Sequence, residues 1–247
     1  MSAPVPPSRP ADPQDEGPQT DDPQDGDPYG RYALPLVVRV ERAAPPARTD
    51  ALETAARAVL TLLADPRTAD GGGDWHGLVR LWEERGIRKV VRRARGAEWR
   101  RAEALPGVTV HGRSAEVRAY PPVPVDAWPR DLARLQVSGT DLADAEPPGP
   151  PAAGTPVLWL NPELRMSAGK AMAQAGHAAQ YAWWGLSAAT RTAWRDAGFP
   201  LAVRTADANS WARLAGSGLP VVRDAGFTEV APGSSTVVAD HPGLPRG

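Results

Sequence analysis

The 247-residue sequence contains no cysteine. That excludes a disulfide framework, a thiolate metal site and a cysteine nucleophile. No stretch approaches the roughly 18 apolar residues of a membrane span, and the N-terminus lacks the basic, apolar run of a secretory signal. The expectation is a cytoplasmic protein with no membrane contact. Histidine is scarce: His76, His111, His177 and His241 are scattered without His-Glu-x-x-His spacing, so neither a metal site nor a cofactor is expected. Two further chemistries lack their signatures. Gly169-Lys170 has no earlier glycine at phosphate-loop spacing and is followed by Ala171, and no Gly-x-Ser-x-Gly elbow occurs.

Charge of one sign is missing overall, at −1, but it is unevenly spread. Residues 1–30 hold seven acids against one Arg, which leaves about +5 on residues 31–247. Within 79–118, eleven basic residues face five acidic ones, a candidate polyanion-facing surface. Composition also divides the chain. Residues 1–30 are Pro, Asp, Gln and Gly with little to bury and read as a disordered acidic tail. A Pro-rich stretch within 139–155 reads as a semi-rigid linker. Two regions with enough apolar residues for a core remain, 31–138 and 156–247.

In the later region, strands at 156–160, 200–206, around LPVVRDAG and at 236–242 alternate with helices, which predicts an α/β fold. The first of these helices carries an unusual stripe. At 100° per residue, Lys170, Gln174, His177 and Tyr181 fall within an arc of about 60°, opposite a broad face of Ala, Gly and Met. Small residues let that face lie close to its neighbour, and Ser167 is placed to cap the start. A merely solvated face usually carries several flexible Glu and Lys residues. One Lys, one amide and one imidazole in line suggest a chemical role instead. Further on, DAGFTEVAPGSSTVV (224–238) supplies two turns at strand ends, where α/β folds place their ligands.

These two stretches, LRMSAGKAMAQAGHA and GLPVVRDAGFTEVAPGSSTVV, resemble the type-2 peptidyl-tRNA hydrolase family over about 156–242. The resemblance implies a three-layer α/β/α domain with a small mixed sheet. It implies a metal-free aminoacyl-tRNA hydrolase, a carboxylic ester hydrolase that frees tRNA from stalled peptide for recycling in translation, with tRNA as partner. Carried over by position, the catalytic set is Lys170, His177, Asp224 and Thr228, with Gln174 and Gly169 binding substrate. Asp224 or His177 would activate water, Lys170 would face the oxyanion or a terminal phosphate, and Thr228 would hydrogen-bond Asp224. On that basis Asp224→Asn is expected to reduce rate and leave melting temperature almost unchanged. Two departures stand out. Asn161-Pro162-Glu163-Leu164 replaces the family's Arg-x-Asp-Leu, and Glu229 replaces a Gln, setting a negative charge beside a site for a polyanion.

The first region repeats the element order: strand 34–41, helices 49–63 and 78–86, strand 87–94, a short helix and its exit over AEWRRAEALPGVTV, and a strand at 115–122. WEERGIRKVVRRARGAEWRRAEALPGV and WRDAGFPLAVRTADANSWARLAGSGLPV share Trp-x-x-x-Gly, a Val-Arg strand core, a later Trp and a Leu-Pro exit. The reading is that the α/β domain is present twice, with the N-terminal copy degenerate: Arg48 stands at the Lys170 position, Ala55 at that of His177, and the Asp-Ala-Gly loop is missing. Family domains often occur as homodimers, so the first copy would dock as a built-in partner in a monomer, an internal pseudo-dimer. Val37–Val38 are expected to superpose on Leu158–Trp159, and the Arg cluster, with Arg92 and Arg93, to extend the tRNA-binding surface. The rival reading is a non-catalytic tRNA- or protein-binding module that keeps the fold.

Overall fold

A computed structural model describes residues 32–69, 72–226 and 228–246, so the acidic tail expected at 1–30 lies outside the described residues. The chain begins there with β1 (Tyr32–Arg39), whose six central residues are all buried. Helix α1 (Arg48–Leu63) and helix α2 (His76–Arg85) follow, then β2 (Lys89–Ala94), α3 (Gly96–Glu103), β3 (Val108–His111) and β4 (Glu116–Ala119). A two-residue strand β5 (Val123–Pro124) and one turn of helix, α4 (Arg130–Ala133), complete the first half. The second half comprises β6 (Val157–Leu160), α5 (Ala168–Gly185), α6 (Ala188–Asp196), β7 (Ala202–Thr205), α7 (Ala208–Ala215), β8 (Val221–Arg223) and β9 (Ser235–Asp240). Helices α5, α6 and α7 start at side-chain caps, with Ser167, Ser187 and Asp207 accepting backbone N–H groups of the first turn.

Both halves build the same small mixed sheet. The first runs β2-β1-β4-β3, with β5 added beside β1, and the second runs β7-β6-β9-β8. β1 is parallel to β2 and antiparallel to β4, and β3 is antiparallel to β4; β6, β7, β9 and β8 repeat those senses in turn. Each parallel pair needs a crossover, and the helices between its strands supply one. This is an α/β architecture laid out twice.

The register corrects the expected superposition by one residue. Leu36 pairs with Val91 and Ala119, and Leu158 pairs with Val203 and Ala239. Leu36 and Leu158 both turn to the main core and Val37 does not, so Leu36 is the residue that matches Leu158, and Val37 matches Trp159. A one-residue slip exchanges the faces of a strand. Leu36 and Leu158 belong to the main core, whereas Val37 sits with Trp99, Tyr120, Leu132 and Leu135 on the opposite face of the first sheet.

The two sheets share one interior. Helices α1 and α5 lie against each other between them, and a single apolar cluster runs from Leu34 and Val59 through Ala175 and Ala178 to Leu158 and Val237. Alanines at 51, 55, 58, 171, 175, 178 and 182 are almost wholly buried, so the small-residue face of α5 meets a second helix as well as a sheet. Gly176 is part of this fit: a Cβ there would stand 3.0 Å from Val59 and 3.1 Å from the stem of Lys89. The halves are also joined by an ion pair, Arg204 Nη1 to Glu53 Oε1 at 2.8 Å, both side chains mostly buried. The Pro-rich stretch has no regular secondary structure but is anchored along its length. Asp144 accepts the Thr49 N–H (2.9 Å) and hydroxyl (2.7 Å), which caps α1 from outside the helix, and Gly149 O accepts from Arg204 Nε at 2.8 Å.

Candidate functional site

The polar stripe of α5 faces a cleft of about 540 Å³ between the halves. Gly169, Lys170, Gln174, His177 and Tyr181 form one wall, the β8 exit with Asp224, Thr228 and Glu229 another, and β2 with Trp128 and Val137 of the first half the third. The β8–β9 register shifts between Val222 and Arg223, immediately before Asp224. Such a bulge re-aims the side chains that follow it. The loop then turns at Gly226, whose φ of 84° suits glycine and where a Cβ would run into Pro232. Gly226 N–H returns to Asp224 Oδ1 at 2.8 Å.

At the floor of the cleft Lys170 Nζ meets Asp224 Oδ2 at 2.5 Å, with the two side chains only 10% and 7% exposed. The same oxygen accepts from Gln174 Nε2 at 2.7 Å. Gln174 is oriented in turn by the buried Thr236 hydroxyl, which donates to Gln174 Oε1 at 2.6 Å. Thr228 does not bond Asp224 as expected. Its hydroxyl accepts from Lys170 Nζ at 3.0 Å, so Asp224 and Thr228 share the lysine. Lys170 is thus a paired cation, held where a developing negative charge could reach it.

His177 is brought to the same wall, but its partner is not Asp224. Nδ1 lies 3.3 Å from Nζ of Lys89, a residue of the first half. Lys89 is itself buried, with Nζ 2.5 Å from Gln180 Oε1 and 3.4 Å from Ile87 O. Burial pushes the Lys89 ammonium well below its ordinary range, against the pull of Glu83. His177 is likewise held well below the ordinary imidazole range, first by burial and then by the charges of Lys89 and Lys170. The ring is thereby kept neutral, with one nitrogen carrying the proton and the other a lone pair.

Other expected residues are placed differently. Gly169 lines the cleft, but its N–H already donates to Thr140 Oγ1 at 3.0 Å. Arg92 lines the cleft from β2, its guanidinium 4.5 Å over the Trp128 ring and donating to Leu135 O at 2.5 Å. Arg93 is not among the lining residues; its guanidinium holds Gln136 and Ser138 O instead. Glu229 presents no bare charge to the site: its carboxylate accepts Ser167 N (2.7 Å) and Oγ (2.6 Å) at the N-terminus of α5, where negative charge is favoured. Asn161 joins β6 to β9 by donating to Ser235 O at 2.8 Å and accepting Glu163 N at 2.9 Å.

Sequence reasoning missed Lys89, which reads as one more cation in a basic strand, and Thr236, which reads as a β-branched strand residue. Parity could have flagged Lys89: at alternate spacing with Val91 it falls on the face of β2 turned to the core. Among the described residues no group of His, Asp and Glu could hold a metal ion. No described helix is long and apolar enough to cross a membrane.

Residues 155–245 match the family model described as Peptidyl-tRNA hydrolase PTH2. No curated protein sequence matches the chain. The stripe of α5 and the 224–238 loops lie within the matched residues, and the first sheet lies outside them.

Proposed function

We propose that the cleft hydrolyses the ester between a peptide, or an N-blocked amino acid, and the ribose of tRNA. The observation that carries this reading is the convergence of Lys170, Gln174, Asp224 and Thr228 on one point of a PTH2 domain, with His177 along the same helix face. Ester hydrolysis needs an activated water, a partner for the oxyanion and help for the leaving ribose oxygen. Asp224 already accepts from Lys170, Gln174 and Gly226, so its part is to hold Lys170 and orient the water. Lys170 offers its ammonium to the oxyanion or to the terminal phosphate. His177, held neutral, takes the proton of the water and returns it to the ribose oxygen. Thr228 keeps the ammonium in place.

In the same proposal the first half is a degenerate second copy that stands where a second subunit would. What supports it is the shared strand order and sense of the two sheets, with Arg48 and Ala55 at the positions of Lys170 and His177. Arg88, just before β2, and Arg92 within it line the cleft, cations suited to a phosphate-bearing ligand. This is a translation-linked activity of the cytoplasm.

The test is release of the acyl group from a defined N-blocked aminoacyl-tRNA by the purified full chain, with no metal added. Turnover that His177→Ala or Lys170→Met abolishes supports the reading. Tight tRNA binding without release refutes it in favour of a binding module.

A further inference from the structure

The hydrolytic reading leaves Lys89 without a part, although it is the most deeply buried cation at the cleft. It comes from the first half, and among the described residues its polar neighbours are drawn from three segments. From the segment before β2 it meets Ile87 O, from α5 Gln180 Oε1 and His177 Nδ1, and from α2 the Trp82 ring at 4.8 Å. Against its stem lie Gly176 of α5 and, beside that, Val59 of α1, neither of them charged. The anion whose charge acts on it is Glu83, which spends an oxygen on Gln180 Nε2 and Trp184 Nε1, both at 3.2 Å. The other cation whose charge acts on His177 is Lys170, paired with Asp224.

We propose that Lys89 is the positioning residue that decides which nitrogen of His177 carries the ring proton in the cleft. The inference rests on the hydrolytic reading for its consequence, but its geometry stands apart from it. Ile87 O and Gln180 Oε1 can only accept, so they claim two N–H groups of Lys89 whatever its charge. An ammonium has one more N–H, which must go to His177 Nδ1. The ring proton then sits on Nε2, and His177 offers the cleft no lone pair. A neutral amine has a lone pair in that place. It accepts the proton of Nδ1, and Nε2 is left as a base. Loss of one proton from Lys89 therefore transfers the ring proton of His177 from Nε2 to Nδ1, and the two titrate as a coupled pair. The dry surroundings of Lys89 favour the amine, and with it the basic Nε2.

The second half shows what the arrangement looks like without this device. At the same register and offset, Lys89 corresponds to Leu201 and Gln180 to Ala58. The pair Lys89→Leu with Gln180→Ala therefore installs side chains that the fold already accepts at the matching places, and leaves no buried amide unpaired.

The tautomer can be read directly. Full-length protein labelled with 15N at histidine is followed by long-range 1H–15N spectra, with His177 assigned from His177→Gln. Near pH about 8 the wild type is expected to show a protonated Nδ1 and an unprotonated Nε2. The double variant is expected to lose that preference. In hydrolysis the acid limb of the kcat profile should move by about one pH unit or more in the variant, with KM little changed. An unprotonated Nδ1 in the wild type, or spectra indifferent to the double substitution, overturns the proposal. The spectra need no substrate. A coupled tautomer in a protein inert toward peptidyl-tRNA would uphold the role of Lys89 and refute the hydrolytic reading, and an active protein with an uncoupled ring would do the reverse.

Discussion

Asp224→Asn separates what the cleft does from what holds it together. The substitution removes one charge and keeps the shape. In the wild type, Lys170 and Asp224 are nearly dry, 10% and 7% exposed and 2.5 Å apart. Removing one partner of such a pair leaves an uncompensated charge, at a cost of about 3–5 kcal/mol. Two contacts moderate it here. Thr228 Oγ1 still accepts from Lys170 at 3.0 Å, and the asparagine oxygen can replace one carboxylate contact. The low end, about 3 kcal/mol, is the expected loss. For a chain of this size it corresponds to a fall of roughly 6–12 °C in melting temperature. This corrects the expectation from sequence that only rate would suffer. The assay is urea denaturation of the wild type, Asp224→Asn, Lys170→Met and the double variant. The double variant should recover much of the loss, because it buries no unpaired charge. A loss below about 1 kcal/mol in Asp224→Asn, or strict additivity, would show that water screens the pair and refute the reasoning. Hydrolysis by the same variant should fall roughly 10²–10⁴-fold.

Glu53→Gln should cost about 1–3 kcal/mol, since Arg204 and the Val203 N–H both lose a charged acceptor at the joint between the halves; calorimetry of the full chain measures it. Lys89 and His177 both have depressed values, so the unfolded chain binds their protons more readily and stability drops as pH falls. For Lys89 the dependence lies below the ordinary lysine value of about 10.4; the wild type should gain stability from pH about 7 to 9.5, and Lys89→Leu/Gln180→Ala should flatten that slope. If tRNA is the ligand, affinity should fall steeply with salt, and removing residues 1–30, with their seven acids and one Arg, should leave binding equal or tighter. Salt-independent binding would contradict a phosphate-bearing ligand.

The elements were largely legible because apolar spacing, caps and turn residues agreed. Ser167 before an Ala-rich run announced α5, and Asp-Ala-Gly announced the turn after β8. The sheet register was not legible. LPLVV in β1 is buried on both faces, so it carries no alternation from which parity could be read. The segment YPPVPVDAWPR hid β5 and α4, because prolines mask two short elements that are fixed by contacts elsewhere. The stripe of α5 named four cleft residues from spacing alone. The pairing within the cleft depends on side chains converging from β2, β8 and β9, distant in sequence, and no local pattern reports that. Glu229 shows the same gap: a charge counted against the ligand proves to be spent on a helix end.

The covalent link between the halves has a consequence for how such a site can vary. In a symmetric dimer every substitution is made twice, so a lysine placed behind one histidine must also stand behind the other, and dilution dissolves both sites together. Here the cleft beside α5 and the smaller one of about 410 Å³ beside α1 are free of that rule. One holds Lys89 and His177. The other, lined by Asp50, Glu53 and Arg57, has Leu201 on its opposite wall, and Glu53 secures the joint. Under the proposed duplication, two copies joined in one chain can divide their tasks, one cleft for the ligand and one as a brace, in a ratio fixed at any concentration.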